Sequence, residues 1–190
     1  MRVFIAIPLT QNIKNDLSRI QIDLKTCGAE IKWVPSENMH LTLKFLGEIN
    51  EITLNKIIGA IEETMQNHEK FKIGLSDAGA FPDAIHPKVI WIGVKEGKNK
   101  VENIVYALEK KIESLGIPRE KRPFSCHITL GRTKSSRNSR ELMERLDNLR
   151  DNLYKENLSF TAEEITIFKS RLSPSGAFYE ALKEITLKDT

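Results

Sequence analysis

The amino-acid sequence predicts an α+β fold built from two similar halves. Strand-like and amphipathic helical runs follow one another in the order β-α-β-α-β, and this order occurs twice. One short motif also recurs at equivalent places, as HLTL from His40 and HITL from His127. The two motif histidines lie 87 residues apart, about the length of one unit. We therefore expect a duplication with pseudo-two-fold symmetry, in which the motif strands face each other across a cleft.

In the first half, apolar residues at helical spacing indicate a helix over residues 11–26, since Ile13, Leu17, Ile20 and Leu24 recur every three or four positions. A β-rich run over residues 2–8 precedes it. The motif strand follows over residues 40–46 and ends at Gly47. A helix over residues 52–65 and a strand over residues 71–75 complete the unit.

The second half repeats the pattern after a joint at Pro82 and Pro87. Its predicted elements are a strand over 88–94, a helix over 101–115, the motif strand over 125–130, a helix over 142–153, and strands over 158–168 and 178–187. We expect one domain over residues 1–190, with lobes at about 1–80 and 81–190 and with C-terminal strands that cross between them.

Composition narrows the class of protein. The longest apolar runs are far shorter than the roughly 20 residues that span a bilayer, and no secretory signal is recognisable, so we expect a cytoplasmic protein. Cys27 and Cys126 are too few and too distant for a disulfide framework or a zinc site. The net charge of +3 is too small to indicate nucleic-acid binding by itself. A local basic cluster beside the second motif would attract phosphate; it comprises Arg119, Lys121, Arg122, Arg132, Lys134, Arg137 and Arg140.

Each motif carries the groups needed for acid–base work on a phosphodiester. In a strand, residues i and i+2 share a face, so His40 lies beside Thr42 and His127 beside Thr129. Two imidazoles can act as general base and general acid near neutral pH, and two hydroxyls can donate hydrogen bonds to an anion. One copy alone would favour a hydrogen-bonded core pair. Core packing does not require both copies, so the duplication favours catalysis.

Other reaction classes lack their motifs. The sequence contains no HExxH, no dense Asp/Glu/His cluster, no P-loop and no G-x-S-x-G elbow, which disfavours metalloproteases, two-metal nucleases, nucleoside triphosphatases and serine-triad hydrolases. A two-histidine metal site would need carboxylate ligands, and neither motif has them nearby. We expect no metal and no cofactor.

The extended motifs, His40–Gly47 and His127–Arg132, resemble those of the 2H phosphoesterases. The most similar branch is that of the LigT-like RNA 2′,3′-cyclic phosphodiesterases, also called 2′-5′ RNA ligases. The resemblance covers nearly the whole chain, including the run RVFIAI at residues 2–7, the strand with Trp91, and Ser170–Leu172 followed by Gly176 and Tyr179.

This resemblance implies a bilobal fold with two antiparallel sheets flanking a central cleft and helices outside. It implies metal-independent hydrolysis of RNA 2′,3′-cyclic phosphate ends to 2′-phosphate ends, with weak 2′-5′ ligation. His40 would be the general acid toward the 3′ oxygen and His127 the general base toward water. Thr42, Thr129 and Arg132 would bind the substrate phosphate. The partner would be RNA, tRNA fragments included, and the protein a monomer.

Strand parity conflicts with parts of this scheme. Arg132 has the parity opposite to Thr129, so it reaches the phosphate only if the strand bulges or ends at Gly131. Phe45 could stack on a base, but it shares the parity of Leu41 and is predicted to lie in the core. Cys126 points away from His127, which argues against a Cys-His nucleophile.

Two alternatives stay open at this stage. One is a noncatalytic module that binds RNA ends. The other is a 2H phosphodiesterase acting on another cyclic or 2′-5′ phosphodiester. Base and chain-length preferences depend on loops that the sequence does not place.

Overall fold

The computed structural model describes residues 1–173 and 176–189, without the side chain of Tyr154. Within these residues, four α-helices and nine β-strands follow one another along the chain. They are β1 (Arg2–Pro8), α1 (Gln11–Lys25), β2 (Ile31–Trp33), a 3-10 turn (Ser36–Asn38), β3 (His40–Glu48), α2 (Glu51–Met65), β4 (Phe71–Phe81), β5 (Val89–Glu96), α3 (Lys98–Glu113), β6 (His127–Thr133), α4 (Ser139–Glu156), β7 (Ser159–Ala162), β8 (Glu164–Ser173) and β9 (Gly176–Thr186).

The strands form a sheet in the order β7-β4-β5-β6-β3-β1-β8-β9, with β2 added beside β6. This order is symmetric about its centre, because β3 and β6 carry the two motifs and their neighbours β1 and β5 begin the two repeats. Among the described residues, the central strands β3 and β6 are joined by one antiparallel pair, Leu41 with Ile128. The predicted α+β fold with duplicated, pseudo-two-fold halves is confirmed, and the two antiparallel sheets are joined at this pair.

One strand of each repeat lies in the other repeat's half of the sheet: β4 of the first repeat and β8 of the second. β4 pairs with β5, whereas β8 crosses back to pair with β1 and is followed by β9. The strand predicted over residues 158–168 is therefore two strands, separated at Glu163. The chain changes sheet halves at this point, since β7 pairs with β4 and β8 pairs with β1.

A row of apolar residues crosses the centre of the sheet and fixes which face is buried. Ile7, Leu41, Ile128 and Ile92 are successive cross-strand partners, and each is 0% exposed. The apolar stripe of α1 belongs to the same core, with Ile13, Leu17 and Leu24 almost fully buried. Within the described chain, no helix is long and apolar enough to cross a membrane. Because side chains alternate, the neighbours of Leu41 and Ile128 point to the opposite face of the sheet.

Candidate active site

The pair Leu41–Ile128 brings the two motifs together. Continuing its antiparallel register by one residue in each direction sets His40 opposite Thr129 and Thr42 opposite His127. All four side chains are partly buried, and they share the face opposite the apolar row, called the open face below. The pseudo-two-fold axis passes through the pair, so each histidine has the other repeat's threonine across from it. The two halves of the predicted site therefore lie together.

Backbone carbonyls fix the orientation of both imidazoles. Nδ1 of His40 lies 2.8 Å from the carbonyl oxygen of Asn38, and Nδ1 of His127 lies 2.8 Å from that of Ser125. A carbonyl can only accept, so each Nδ1 carries the proton and donates it. Nε2 is then the basic nitrogen of each ring. Both rings thus present the same nitrogen for proton transfer.

His40 packs in an aromatic cluster. Its ring centroid lies 4.8 Å from that of Phe4, 5.3 Å from Tyr179 in an edge-on arrangement, and 6.3 Å from Phe168. Burial in this cluster lowers the pKa of His40 from 6.5 to about 4, the Asn38 carbonyl opposes the shift, and the charges of Lys14 and His127 add to it. The imidazole is neutral in the free protein near neutral pH.

His127 has a less aromatic environment and a cation nearby. The ring of Phe81 meets it edge-on at 5.0 Å, and Trp91 stacks on Phe81 at 5.1 Å. Burial lowers the pKa of His127 from its ordinary value, the Ser125 carbonyl raises it, and the charge of Arg132 lowers it further. Arg132 therefore acts electrostatically on the imidazole of His127.

Both motif strands bulge directly after the threonine. In β3 the partner of Ala6 is Thr42 and that of Ile5 is Lys44, which leaves Leu43 as an extra residue. In β6 the partner of Trp91 is Thr129 and that of Ile90 is Gly131, which leaves Leu130 as the extra residue. A bulge inserts one residue and so reverses the parity of everything after it.

The bulges reposition the residue five places after each histidine. Arg132 pairs with Val89 and returns to the open face beside Thr129. The strand therefore has the irregularity that Arg132 needs in order to reach the substrate phosphate. The core prediction for Phe45 is wrong: its side chain is 63% exposed and its ring lies 6.0 Å from Phe4, on the face of His40. The reason is the bulge at Leu43, which reverses the alternation that the prediction assumed.

Gln21 supports the bulge in β6 and was not predicted to matter. Its Nε2 atom donates to the carbonyl oxygens of Leu130 at 2.9 Å and Val34 at 2.8 Å, and the side chain is buried on α1. The signal in the sequence is a polar residue on the apolar stripe of α1. Gly131 lies under β2, where an added Cβ would come within 2.6 Å of the Ile31 side chain.

Lys44 ties the first bulge to the second repeat. Its Nζ atom lies 2.6 Å from a carboxylate oxygen of Glu109 in α3 and 3.2 Å from the carbonyl oxygen of Pro118, with the lysine side chain 2% exposed. A buried charge requires such partners. The pair connects β3 with the segment that leads to Ser125 and His127.

The two cysteines are buried free thiols. Burial raises the pKa of Cys126 to about 12, so its thiolate is scarcely formed at neutral pH. A Cys-His nucleophile at the second motif is therefore disfavoured, as the strand parity predicts.

The fold places two His-x-Thr motifs side by side at the centre of the sheet. The LigT like Phosphoesterase family matches the chain twice, over residues 7–91 and 92–179. The chain belongs to this family, and the two matched segments correspond to its two repeats.

Two relatives of similar length are named RNA 2′,3′-cyclic phosphodiesterases. The RNA 2′,3′-cyclic phosphodiesterase of Methanocaldococcus jannaschii is 36% identical over 184 residues, which are 97% of this chain and 99% of the relative. That of Methanothermobacter thermautotrophicus is 32% identical over 187 residues, 98% and 99% of the two chains.

Two solved structures share the fold. TT0787 of Thermus thermophilus has a TM-score of 0.81 at 24% identity and covers 100% of this chain and 99% of its own. Escherichia coli LigT complexed with 3′-AMP has a TM-score of 0.78 at 22% identity, covering 99% and 98%.

Proposed function

We propose that this protein is an RNA 2′,3′-cyclic phosphodiesterase that hydrolyses RNA 2′,3′-cyclic phosphate ends to 2′-phosphate ends. The observation that carries the proposal is the juxtaposition of His40, Thr42, His127 and Thr129 on the open face, across the Leu41–Ile128 pair. Relatives at 32 and 36% identity over nearly the whole chain carry that name. The reaction needs no metal or cofactor in this scheme.

The proposed reaction uses the two imidazoles on opposite sides of phosphorus. His127 Nε2 takes a proton from water as the water oxygen attacks phosphorus, and the bond from phosphorus to the 3′ oxygen breaks. His40 delivers a proton to that oxygen, which leaves a 3′ hydroxyl and a 2′-phosphate. Thr42 and Thr129 donate hydrogen bonds to the non-bridging oxygens, where negative charge develops. The same ring opening with a 5′ hydroxyl in place of water forms a bond from phosphorus to the 5′ oxygen as the bond to the 3′ oxygen breaks, and would give weak 2′-5′ ligation.

This mechanism requires that His40 carry a proton when the substrate is bound. The pKa of His40 is about 4 in the free protein, so few molecules carry the proton that a general acid needs at neutral pH. The negative charge of a bound phosphodiester stabilises imidazolium and raises that pKa. Substrate binding therefore supplies part of the driving force for protonating the acid, and the two apparent pKa values of the rate profile belong to the coupled pair.

We propose that one chain forms the complete site, acting as a cytoplasmic monomer on RNA ends that include tRNA fragments. Both motifs lie within one sheet, and β4 and β8 each pair with the opposite repeat. We also propose that residues 1–190 form a single domain, and the pairing of β4 with β5 and of β8 with β1 supports this.

The direct test is incubation with an RNA oligonucleotide bearing a 2′,3′-cyclic phosphate, in EDTA, with identification of the product. A 2′-phosphate end supports the proposal. Retained binding without turnover would instead indicate a noncatalytic RNA-end-binding module, and turnover confined to 2′-5′ linkages would indicate another phosphodiester substrate.

A further inference from the structure

Lys32 and Arg132 form a cross-strand pair of like charges. They are Cα partners in the antiparallel pairing of β2 with β6, and both side chains are exposed. Among the described residues, neither side chain has a hydrogen bond or an ion pair. Like charges directly opposite each other destabilise a strand pair. The arrangement is unfavourable in the free protein, and a bound anion would relieve it.

Most of the neighbouring basic side chains are already neutralised. Within the described residues, arginines of the basic cluster pair with carboxylates: Arg119 with Glu113, Arg122 with Glu120, Arg137 with Glu30, and Arg140 with Glu144. Glu30 lies two residues before Lys32 and also accepts a hydrogen bond from Ser135 at 2.6 Å. Its carboxylate is thus engaged by Arg137 and Ser135.

The pair lies on the open face, outward from the proposed reaction site. Trp33 and Gly131, the next pair along β2 and β6, lie on the helix side, where Lys25 of α1 sits 5.9 Å over the Trp33 ring. Alternation then places Lys32 on the opposite face with Arg132, which the bulge at Leu130 has returned to the side of Thr129. Three residues of strand, about 10 Å at most, separate Thr129 from Arg132.

We infer that Lys32, beside Arg132 on the neighbouring strand, binds the internucleotide phosphate on the 5′ side of the terminal nucleotide. This inference rests on the proposed function and specifies its substrate. A 2′,3′-cyclic phosphate closes the 3′ end, so the adjacent backbone phosphate lies on its 5′ side. A long lysine or arginine side chain can span the remaining separation. A nucleoside 2′,3′-cyclic monophosphate lacks this second phosphate, so the protein favours oligonucleotides.

The test compares Lys32→Gln with wild type on two substrates, an RNA oligonucleotide ending in a 2′,3′-cyclic phosphate and the corresponding nucleoside 2′,3′-cyclic monophosphate. Loss of one phosphate contact lowers kcat/KM for the oligonucleotide about fivefold at 0.1 M salt relative to the monophosphate. The slope of log K for binding an unreactive RNA oligonucleotide against log salt becomes shallower by about 0.7. Lys32→Arg keeps both properties.

Lys56→Gln is the matched control, since Lys56 is an exposed lysine on α2. It leaves the substrate ratio and the salt slope at their wild-type values. The inference is overturned if Lys32→Gln loses activity equally on both substrates. It is also overturned if the variant changes neither the ratio of kcat/KM between the substrates nor the salt slope. In either case, turnover by the wild type still upholds the proposed function. Absence of wild-type turnover overturns the proposed function, and the salt slope then still decides whether Lys32 contacts the RNA backbone.

Discussion

Nδ1 of His40 lies 2.8 Å from the carbonyl oxygen of Asn38, and this contact determines which imidazole nitrogen carries the proton. The Asn38 side chain is anchored in turn, because its Nδ2 atom donates to the carbonyl oxygen of Ala177 at 2.7 Å. The turn before β3 is thereby tied to β9. The orientation of His40 depends on a bond between segments 139 residues apart.

Asn38→Ala should therefore lower kcat more than it raises KM. The Asn38 carbonyl remains, but its link to β9 is lost, and small displacements of an acid–base group cost about 10-fold or more in rate. Steady-state kinetics measure the effects on kcat and on KM separately. Asn50→Ala is the control, since Asn50 caps α2 by accepting from the Thr53 amide at 2.8 Å, away from the motifs. If both variants lose activity only in proportion to lost stability, Asn38 has no positioning role.

Acid–base roles can be separated with a substrate whose 3′ oxygen is replaced by sulfur. A thiolate leaves without a proton, so the general acid is no longer needed. His40→Ala should then lie within about 10-fold of wild type on the sulfur substrate while losing ~10²-fold or more on the oxygen substrate. His127→Ala should be impaired on both. Rescue of His127→Ala in place of His40→Ala would reverse the two roles.

Stability should fall as the pH falls below neutrality. The folded-state pKa of His40 is about 4, below the ordinary 6.5, so the unfolded chain binds more protons between these values. The stabilisation that the neutral His40 gives the folded protein is complete above pH ~6.5 and is lost as the pH falls toward ~4. It amounts to at most about 3 kcal/mol, and His127 shifts in the same direction.

Urea denaturation of wild type and His40→Gln from pH 4.5 to 7.5 measures this dependence. The free energy of unfolding should rise with pH less steeply in the variant. Parallel curves would contradict a buried, neutral His40.

Gln21→Leu should weaken the bulge that directs Arg132 to the open face. The variant leaves the Val34 carbonyl without the amide donor that it has in the wild type, at a cost of about 1–3 kcal/mol in unfolding free energy. Turnover should fall as well, because Arg132 loses its fixed direction. Gln11→Leu, at the exposed start of the same helix, should change stability by no more than about 0.5 kcal/mol. Full activity in a destabilised Gln21→Leu protein would show that the bulge persists without the amide.

The sequence predicted the parts of the fold that local patterns encode. Period-2 and helical spacing located the motif strands and the buried stripe of α1, and repetition indicated the symmetry. We expected C-terminal strands to cross between the lobes but could not assign their partners, because the alternation in residues 158–168 does not specify a partner strand. β2 spans three residues, too few for a recognisable alternation.

The bulges account for the main error within the site. Alternation predicted Phe45 in the core, and it left Arg132 dependent on an irregularity at Gly131. Whether Leu43 and Leu130 are extra residues depends on pairing with β1 and β5 and, in β6, on Gln21 at a separation of 109 residues. Local sequence carries none of these contacts.

The central claim is that His40 and His127 together open a cyclic phosphate. The most direct measurement is kcat/KM of His40→Ala and His127→Ala, each purified and shown to be folded, on an RNA oligonucleotide with a 2′,3′-cyclic phosphate in EDTA. We predict that each variant loses about 10²-fold or more, since a positioned acid or base supplies that much. Near-wild-type turnover in either variant would contradict the two-histidine mechanism.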